Sequence, residues 1–309
     1  MPPSGVVDGA EETWDRGPIV EQDAVDGLVR LLDLENIEVN LFRGVSPPVQ
    51  QVRVFGGQVA GQALVAAART VGDDDGSVHS LHAYFLRPGD PSVPILYQVD
   101  RIRDGRSFTT RRVVAIQHGQ PIFNMTASFQ VPEEGLEHSA PMPQVPGPEG
   151  LADVRELPPD VLDKVPEKMR RFLTHERPFE FRPVEPIHVV APPRAAPVRH
   201  IWVKTVDALP NNPDLHRNVL AYVSDYQLVS TATLPHGIHF AEGHVQLASL
   251  DHAMWFHRPF RADEWLLYAM ESPNASGGRG LALARFFTRD GALVASTAQE
   301  GVVRVWAGR

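Results

Sequence analysis

Val25, Leu28, Val29, Leu31 and Leu32 fall at helical spacing and predict a short amphipathic helix. Ile37, Val39 and Leu41 then alternate with Glu38 and Asn40, the period of a strand. The run VFGGQVAGQALVAAARTV over 54–71 is apolar on most sides and predicts a buried helix opened by Gly56-Gly57. Gly61 in its middle costs roughly 1 kcal/mol against Ala, which points to a close backbone approach. The segments SVHSLHAYFLRPG, ILYQVDRI, SFTTRRVVAIQ and PIFNMTASFQV predict strands, punctuated by turns at Asp104-Gly105 and His118-Gly119. Later, NVLAYVSDYQLVSTA (218–232) predicts a second helix with Leu220, Val223, Leu228 and Val229 on one face. Strand segments VQLASLDHAMWFHRPF, EWLLYAMES, RGLALARFF and ALVASTAQEGVVRVW follow, with a turn at Asp290-Gly291.

This order of elements occurs twice. HAYFLRPG (82–89) matches HAMWFHRPF (252–260), Arg106 matches Arg279, and His118-Gly119 matches Asp290-Gly291. Thr126-Ala127-Ser128 matches Thr297-Ala298-Gln299, and the offset stays between 170 and 173 residues. A near-constant offset over several anchors indicates a duplication. The expected fold class is α+β: two tandem units, each an antiparallel sheet wrapped around a long helix, related by a pseudo-two-fold axis. The expected boundaries are a loose tail at 1–20, a first unit at 21–131, a connector at 132–197 and a second unit at 198–309. The connector holds 14 of the 28 prolines, which argues against regular structure. Its apolar anchors Phe172, Leu173, Phe179 and Phe181, with VLDKVPEKMRRFL, predict an ordered irregular segment containing a short helix.

Composition narrows the chemistry. A hydrophobic fraction of 43% over 309 residues is enough for a sizeable core. The net charge of −9 implies no general affinity for nucleic acid. With no cysteine there is no thiol nucleophile, disulfide or thiolate metal site, as fits a reducing cytoplasm. The acidic start lacks the features of a signal peptide, and no apolar run reaches the roughly 18–20 residues of a membrane span. A cytoplasmic protein with no membrane partner is expected. His236, His239, Glu242 and His244 lie close together, but their spacing fits no zinc signature, so no metal is expected.

FGGQVAGQAL, SLHAYFLRPG, SDYQL, ASLDHAMWFHRPF, SGGRGLA and STAQEGVVR, in this order, resemble the acyl-CoA thioesterase II family (TesB-type). The resemblance covers about residues 25–131 and 178–306. It implies a double hotdog fold, acyl-CoA as substrate, no cofactor and a place in fatty-acid and lipid metabolism; a homo-oligomer, dimer or tetramer, is compatible with it. The family's catalytic Asp falls on Asp225, read as lying in the second helix, and its Gln falls on Gln299. Its Thr position is held by Ser249, a departure that keeps the hydroxyl and loses the methyl that stiffens χ1.

These residue types suit a water-mediated thioester hydrolysis. The chain has no G-x-S-x-G elbow and no Cys, which favours water as the nucleophile without a covalent intermediate. An ionised Asp225 can take a proton from water, Gln299 can orient it, and Ser249 can complete the network. Gly57, at a helix N-terminus, offers a backbone N–H to an oxyanion. A β-branched residue there is expected to cost turnover far more than stability. Arg279, in Gly277-Gly278-Arg279-Gly280, is a candidate for CoA phosphates. Gly61 and Ser128 stand at the first-repeat positions matching Asp225 and Gln299, so one working site per chain is expected. Trp255, Phe256 and Trp265 read as core. A triad of Ser249, Asp251 and His252 is disfavoured because strand neighbours face opposite ways. Two alternatives stay open: a hotdog acyl-CoA hydratase or dehydratase, and a non-catalytic acyl-CoA-binding protein.

Overall fold

The computed structural model describes residues 24–47, 53–72, 76–156, 177–186, 188, 192–239 and 244–306. The tail at 1–20 and the helix expected within VLDKVPEKMRRFL, with Phe172 and Leu173, lie outside the described residues.

The first half runs α1 (Ala24–Leu32), β1 (Glu35–Glu38), β2 (Leu41–Gly44), α2 (Gly56–Ala68), β3 (Ser77–Phe85), β4 (Ile95–Asp104), β5 (Phe108–Gln117) and β6 (Gln120–Gln130). The second runs β7 (Phe179–Pro183), β8 (Val198–Thr205), α3 (Pro213–Val223), a 3-10 helix (Val229–His236), β9 (Val245–Ser249), β10 (Asp251–Phe256), β11 (Leu266–Ser276), β12 (Arg279–Thr288) and β13 (Leu293–Val305). All strands join one antiparallel sheet in the order β1-β2-β4-β5-β6-β3-β10-β13-β12-β11-β8-β7, with β9 added beside β13. Read outward from the β3–β10 seam, the two sides have the same order. β7 lies inside the stretch read as connector, so the sheet of the second half begins earlier than residue 198.

The seam fixes the internal symmetry. β3 and β10 pair antiparallel with His82 opposite Ala253, so a two-fold relation between the halves requires an odd offset here. Of the odd offsets, 171 superposes Arg87-Pro88 on Arg258-Pro259 and the fully buried Tyr97 on Tyr268, and it matches His82 with Ala253. The match of His82 with His252 is therefore one residue out. His82 is exposed while His252 is buried, because a one-residue slip exchanges the faces of a strand. From β5/β12 to β6/β13 the offset rises by one to 172, since Ala115 pairs with Phe123 but Phe286 with Ala295, and this corrects the counterpart of Gln299. Arg111 pairs with Ala127, and Ala282 pairs with Gln299, so Gln299 answers to Ala127. Ser128 faces the other way and bonds His79 at 2.8 Å.

Both long helices lie on one face of the sheet and pack on each other. Ala63, Leu64, Ala66 and Ala67 of α2 are wholly buried, which explains a helix without a polar face. Gln62 is buried too, and is satisfied by Leu31 O at 2.7 Å and the Tyr97 hydroxyl at 2.7 Å. A Cβ on Gly61 would stand 3.3 Å from Asn218 O of α3, so this glycine does mark a close approach. α3 starts where Asn212 Oδ1 accepts from Asp214 N and Leu215 N, with Pro213 as first helical residue.

Three expected elements divide. The strand over Ile37–Leu41 is a hairpin, turned at Val39-Asn40 with Asn40 at φ 60°. The helix expected over 218–232 stops at Val223; the chain turns through 224–228, with Gln227 at φ 61°, before the 3-10 helix. The strand expected over 245–260 ends at Phe256 and breaks at Leu250, whose N–H bonds Glu300 O and whose carbonyl accepts from Phe85 N–H. Residues 132–156 contain no helix or strand yet are anchored: Trp202 Nε1 donates to Pro146 O at 2.8 Å, and Met142, Val145 and Leu151 pack beside Trp202, Leu267 and Phe287.

Candidate active site

Asp225 sits on the turn after α3, not within a helix. Its Oδ1 accepts from Gln299 Nε2 at 2.6 Å and, more weakly, from Ser249 Oγ at 3.4 Å. The Gly57 N–H, in the first turn of α2, faces the same carboxylate. The three side chains named from sequence thus converge, although 74 residues separate Asp225 from Gln299.

Each position has a local cause. Ser249 ends β9 opposite Gly301, and Gln299 lies two residues before Gly301, so alternation puts both on one face. The break at Leu250 lets Ser249 stay on that face while β10 rejoins β3. Gly301 has no room for a side chain: a Cβ would lie 2.5 Å from Val229, so the 3-10 helix rests directly on β13. From the other half, a Cβ on Gly56 would lie 2.6 Å from Asp225 Oδ2. The cluster is composite, with first-half backbone against second-half side chains.

Asp225 retains intermediate exposure as a residue, yet its carboxylate is closely surrounded. Phe55, Phe179, Phe181, Tyr222 and Tyr226 form a connected aromatic wall alongside, with Phe55 and Tyr226 4.6 Å apart at the ring centroids. Burial pushes the Asp225 pKa up to about 6, and the hydrogen bonds from Gln299, Gly57 and Ser249 hold it from rising further. Gln299 is 1% exposed, and its Oε1 has no hydrogen-bond partner among the described residues. A buried, unused acceptor beside a carboxylate is suited to receiving one proton of a water whose other proton goes to Asp225.

Other candidates lie elsewhere. Arg279 pairs with Glu300 at 2.9 Å, and Glu300 points to the face of β13 opposite Gln299. Strand alternation thus keeps Arg279 out of the cluster. Gly57 is more constrained than the sequence suggested: a Cβ there would lie 2.1 Å from Tyr222 O. Its replacement must therefore disturb the α2–α3 packing, and the expectation that turnover would suffer far more than stability is corrected. His252 takes no part in a triad with Ser249 and Asp251; its Nε2 meets Ser224 Oγ at 2.8 Å. Among the described residues no cluster of metal-binding side chains occurs, and Glu242 lies outside them. No described helix is long and apolar enough to cross a membrane. A surface depression lined by Lys204, Asp207, Arg261 and Asp263 shares no residue with the cluster.

Sequence reasoning missed the aromatic wall, because Phe55 and Phe179 are far apart in the chain. Phe256 is core as expected, whereas Trp255 packs on His82 and Trp265 lies under Arg182 and Lys204.

Residues 45–130 match the acyl-CoA thioesterase N-terminal domain family, and residues 169–302 match the acyl-CoA thioesterase family. The chain is 45% identical over 287 residues to acyl-coenzyme A thioesterase 8 of Homo sapiens, covering 89% of this chain and 88% of that protein. It is similar to the crystal structure of acyl-CoA thioesterase II TesB2 from Mycobacterium marinum, with TM-score 0.74, 42% identity, and coverage of 92% of this chain and 99% of that one. A hot dog fold protein from Alicyclobacillus acidocaldarius superposes with TM-score 0.70 at 19% identity, covering 91% of this chain and 99% of that one, which speaks for the fold alone. Matches over both halves, with this identity across nearly the whole length, show that the chain belongs to the acyl-CoA thioesterase II family, the TesB type.

Proposed function

We propose that the protein is a double hotdog hydrolase that cleaves acyl-CoA to a free carboxylic acid and CoA, using a water activated by Asp225, Gln299 and Ser249. The observation that carries this reading is the bond from Gln299 Nε2 to Asp225 Oδ1, beside an amide oxygen with no other partner. In the proposed step the water proton passes to Asp225 and the water oxygen attacks the thioester carbon. The tetrahedral intermediate then collapses with loss of the CoA thiolate, a good leaving group since thiols ionise near pH 8.5. General-base help of this kind contributes roughly 10²- to 10⁴-fold. The Gly57 N–H, facing Asp225 in the substrate-free site, is the fixed donor that would be shared with the developing oxyanion.

The hydratase alternative pairs its acid with a histidine. The hydrogen-bond donors on Asp225 are an amide, a hydroxyl and a backbone N–H. One working site per chain is proposed, because the first-half counterpart of Gln299 is Ala127 and carries no polar group.

The test is release of free thiol from a panel of acyl-CoAs of different chain length, with Asp225→Ala as control. Thiol release lost in the control supports the reading; a change in enoyl absorbance without thiol, or binding without turnover, sinks it. Ser249→Ala should lower kcat only about fivefold, the worth of a hydrogen bond of ~1 kcal/mol, because its contact is long. A loss beyond about a hundredfold would show Ser249 to be central instead.

A further inference from the structure

His252 is an anomaly. It alternates in β10 with Met254 and Phe256, on the buried face, yet it is an imidazole with 1% exposure. Its Nδ1 has no hydrogen-bond partner among the described residues, which costs stability that an apolar side chain would not. Burial lowers its pKa to about 4, so the ring is neutral at physiological pH.

Its tautomer follows from its neighbours. Ser224 Oγ donates its one proton to Ala221 O at 3.0 Å, and Thr297 Oγ1 donates to Ala253 O at 2.8 Å. Both hydroxyls therefore face His252 Nε2 as acceptors, at 2.8 and 3.3 Å. With both hydroxyl protons assigned to these carbonyls, the tautomer that satisfies the most groups carries its proton on Nε2, shared between Ser224 and Thr297, and leaves Nδ1 bare. Ser224 immediately precedes Asp225, and Thr297 is two residues before Gln299. One N–H thus ties the turn carrying the carboxylate to the strand carrying the amide. The Tyr268 hydroxyl holds the same turn from β11, donating to Ser224 O at 2.5 Å.

We propose that His252 is a positioning residue, whose Nε2–H clamps Ser224 to Thr297 and so sets the contact between Asp225 and Gln299. The proposal rests on Asp225 and Gln299 being the hydrolytic pair. With the clamp removed, the turn is freed, Gln299 donates less well, and the Asp225 carboxylate loses a bond that favours its ionised form. The groups facing Asp225 are Gly57 N–H from α2, Ser249 from β9, Gln299 from β13, Tyr222 and Tyr226 from its own segment and Tyr268 from β11. All three tyrosines have pKa values raised by burial and stay neutral through the range of interest, so an acid limb reports Asp225.

The experiment is steady-state thioester hydrolysis as a function of pH for the full-length protein and its variants. His252→Leu should lower kcat about 10- to 100-fold with KM changed less than about threefold, and move the acid limb of kcat upward from about 6. His252→Gln, whose amide N–H reaches a similar place, should recover to within about fivefold of the parent and restore the limb. If His252→Leu does not fold, Ser224→Ala and Thr297→Val each remove one end of the clamp and should move the limb the same way. Folded variants with parental kcat and an unmoved limb overturn the proposal, as does a His252→Gln no better than His252→Leu. Asp225→Ala, measured alongside, separates the two levels: if it keeps turnover, the underlying reading fails. If it is inactive while the His252 variants are unaffected, the positioning role alone fails.

Discussion

Asp225→Asn is expected to cut thioester hydrolysis by about 10²- to 10⁴-fold while making the fold more stable at neutral pH. Both effects have one cause. A carboxylate buried beside Tyr222 and Tyr226 is costly to ionise, and its pKa stands at about 6 against an ordinary 3.8. The folded state therefore holds this proton more tightly than the unfolded chain. Stability from this group is fullest below about pH 4 and is lost as pH rises through about 6. Up to ~3 kcal/mol is at stake, and ~1–3 kcal/mol is reasonable because the residue keeps some exposure. Asn is neutral throughout and can still accept from Gln299 and Gly57. Its stabilising effect should appear at pH 7 and vanish near pH 4, which urea unfolding at the two pH values would show. The activity of the parent should fall below about pH 6 as the base is protonated. A variant that is inactive but no more stable at pH 7 would mean that the carboxylate is not strained by burial. This is the pattern of a site maintained at the expense of the fold around it.

Much of that site was legible only through the family resemblance, which put Asp225, Ser249 and Gln299 at its motif positions; the lack of Cys and of an elbow serine then favoured water as the nucleophile. The strand period put Ser249 and Gln299 in strands, which is where β9 and β13 hold them. What stayed hidden was set by contacts distant in sequence. Apolar spacing continues through 224–229, so nothing local announces that α3 ends at Val223. The end is enforced by Tyr268, from β11, bonding Ser224 O, and by Arg199 Nη1 bonding Gln227 Oε1 at 2.8 Å. Leu250 is equally silent, as one more apolar residue in an apolar run. The hairpin at Val39-Asn40 did leave a signal, since Asn tolerates positive φ better than other side chains. The one-residue error in the repeat shows where text matching fails: two HA dipeptides align well, but only the seam pairing of His82 with Ala253 decides the face. His252 also left a trace, a polar ring in phase with Met254 and Phe256. Its partner Ser224 could not be read without the turn.

The same dependence on distant contacts separates two glycines of α2 that look alike in sequence. Gly→Ala in a helix contributes up to ~1 kcal/mol of helix propensity, less near the first turn. Against that gain, Gly61→Ala places its new methyl 3.0 Å from Leu32 Cδ2 and 3.3 Å from Asn218 O. The first is the free end of a flexible side chain, so Gly61→Ala should stay within ~1 kcal/mol of the parent and keep its turnover. Gly57→Ala places its methyl 2.1 Å from Tyr222 O, a backbone atom, and 2.5 Å from the Phe55 ring. No rotamer relieves a backbone clash, so α2 and α3 must separate. The expected cost is about 3 kcal/mol, at the upper end of overpacking effects. Turnover should fall with it, because the separation draws the Gly57 N–H away from Asp225 and parts the two halves of the site. Thermal unfolding and kcat of the two variants, measured together, check both halves of the argument. If Gly57→Ala unfolds like Gly61→Ala, the helices have slack that a Cβ only 2.1 Å from Tyr222 O denies, and the composite site is not held by that close packing.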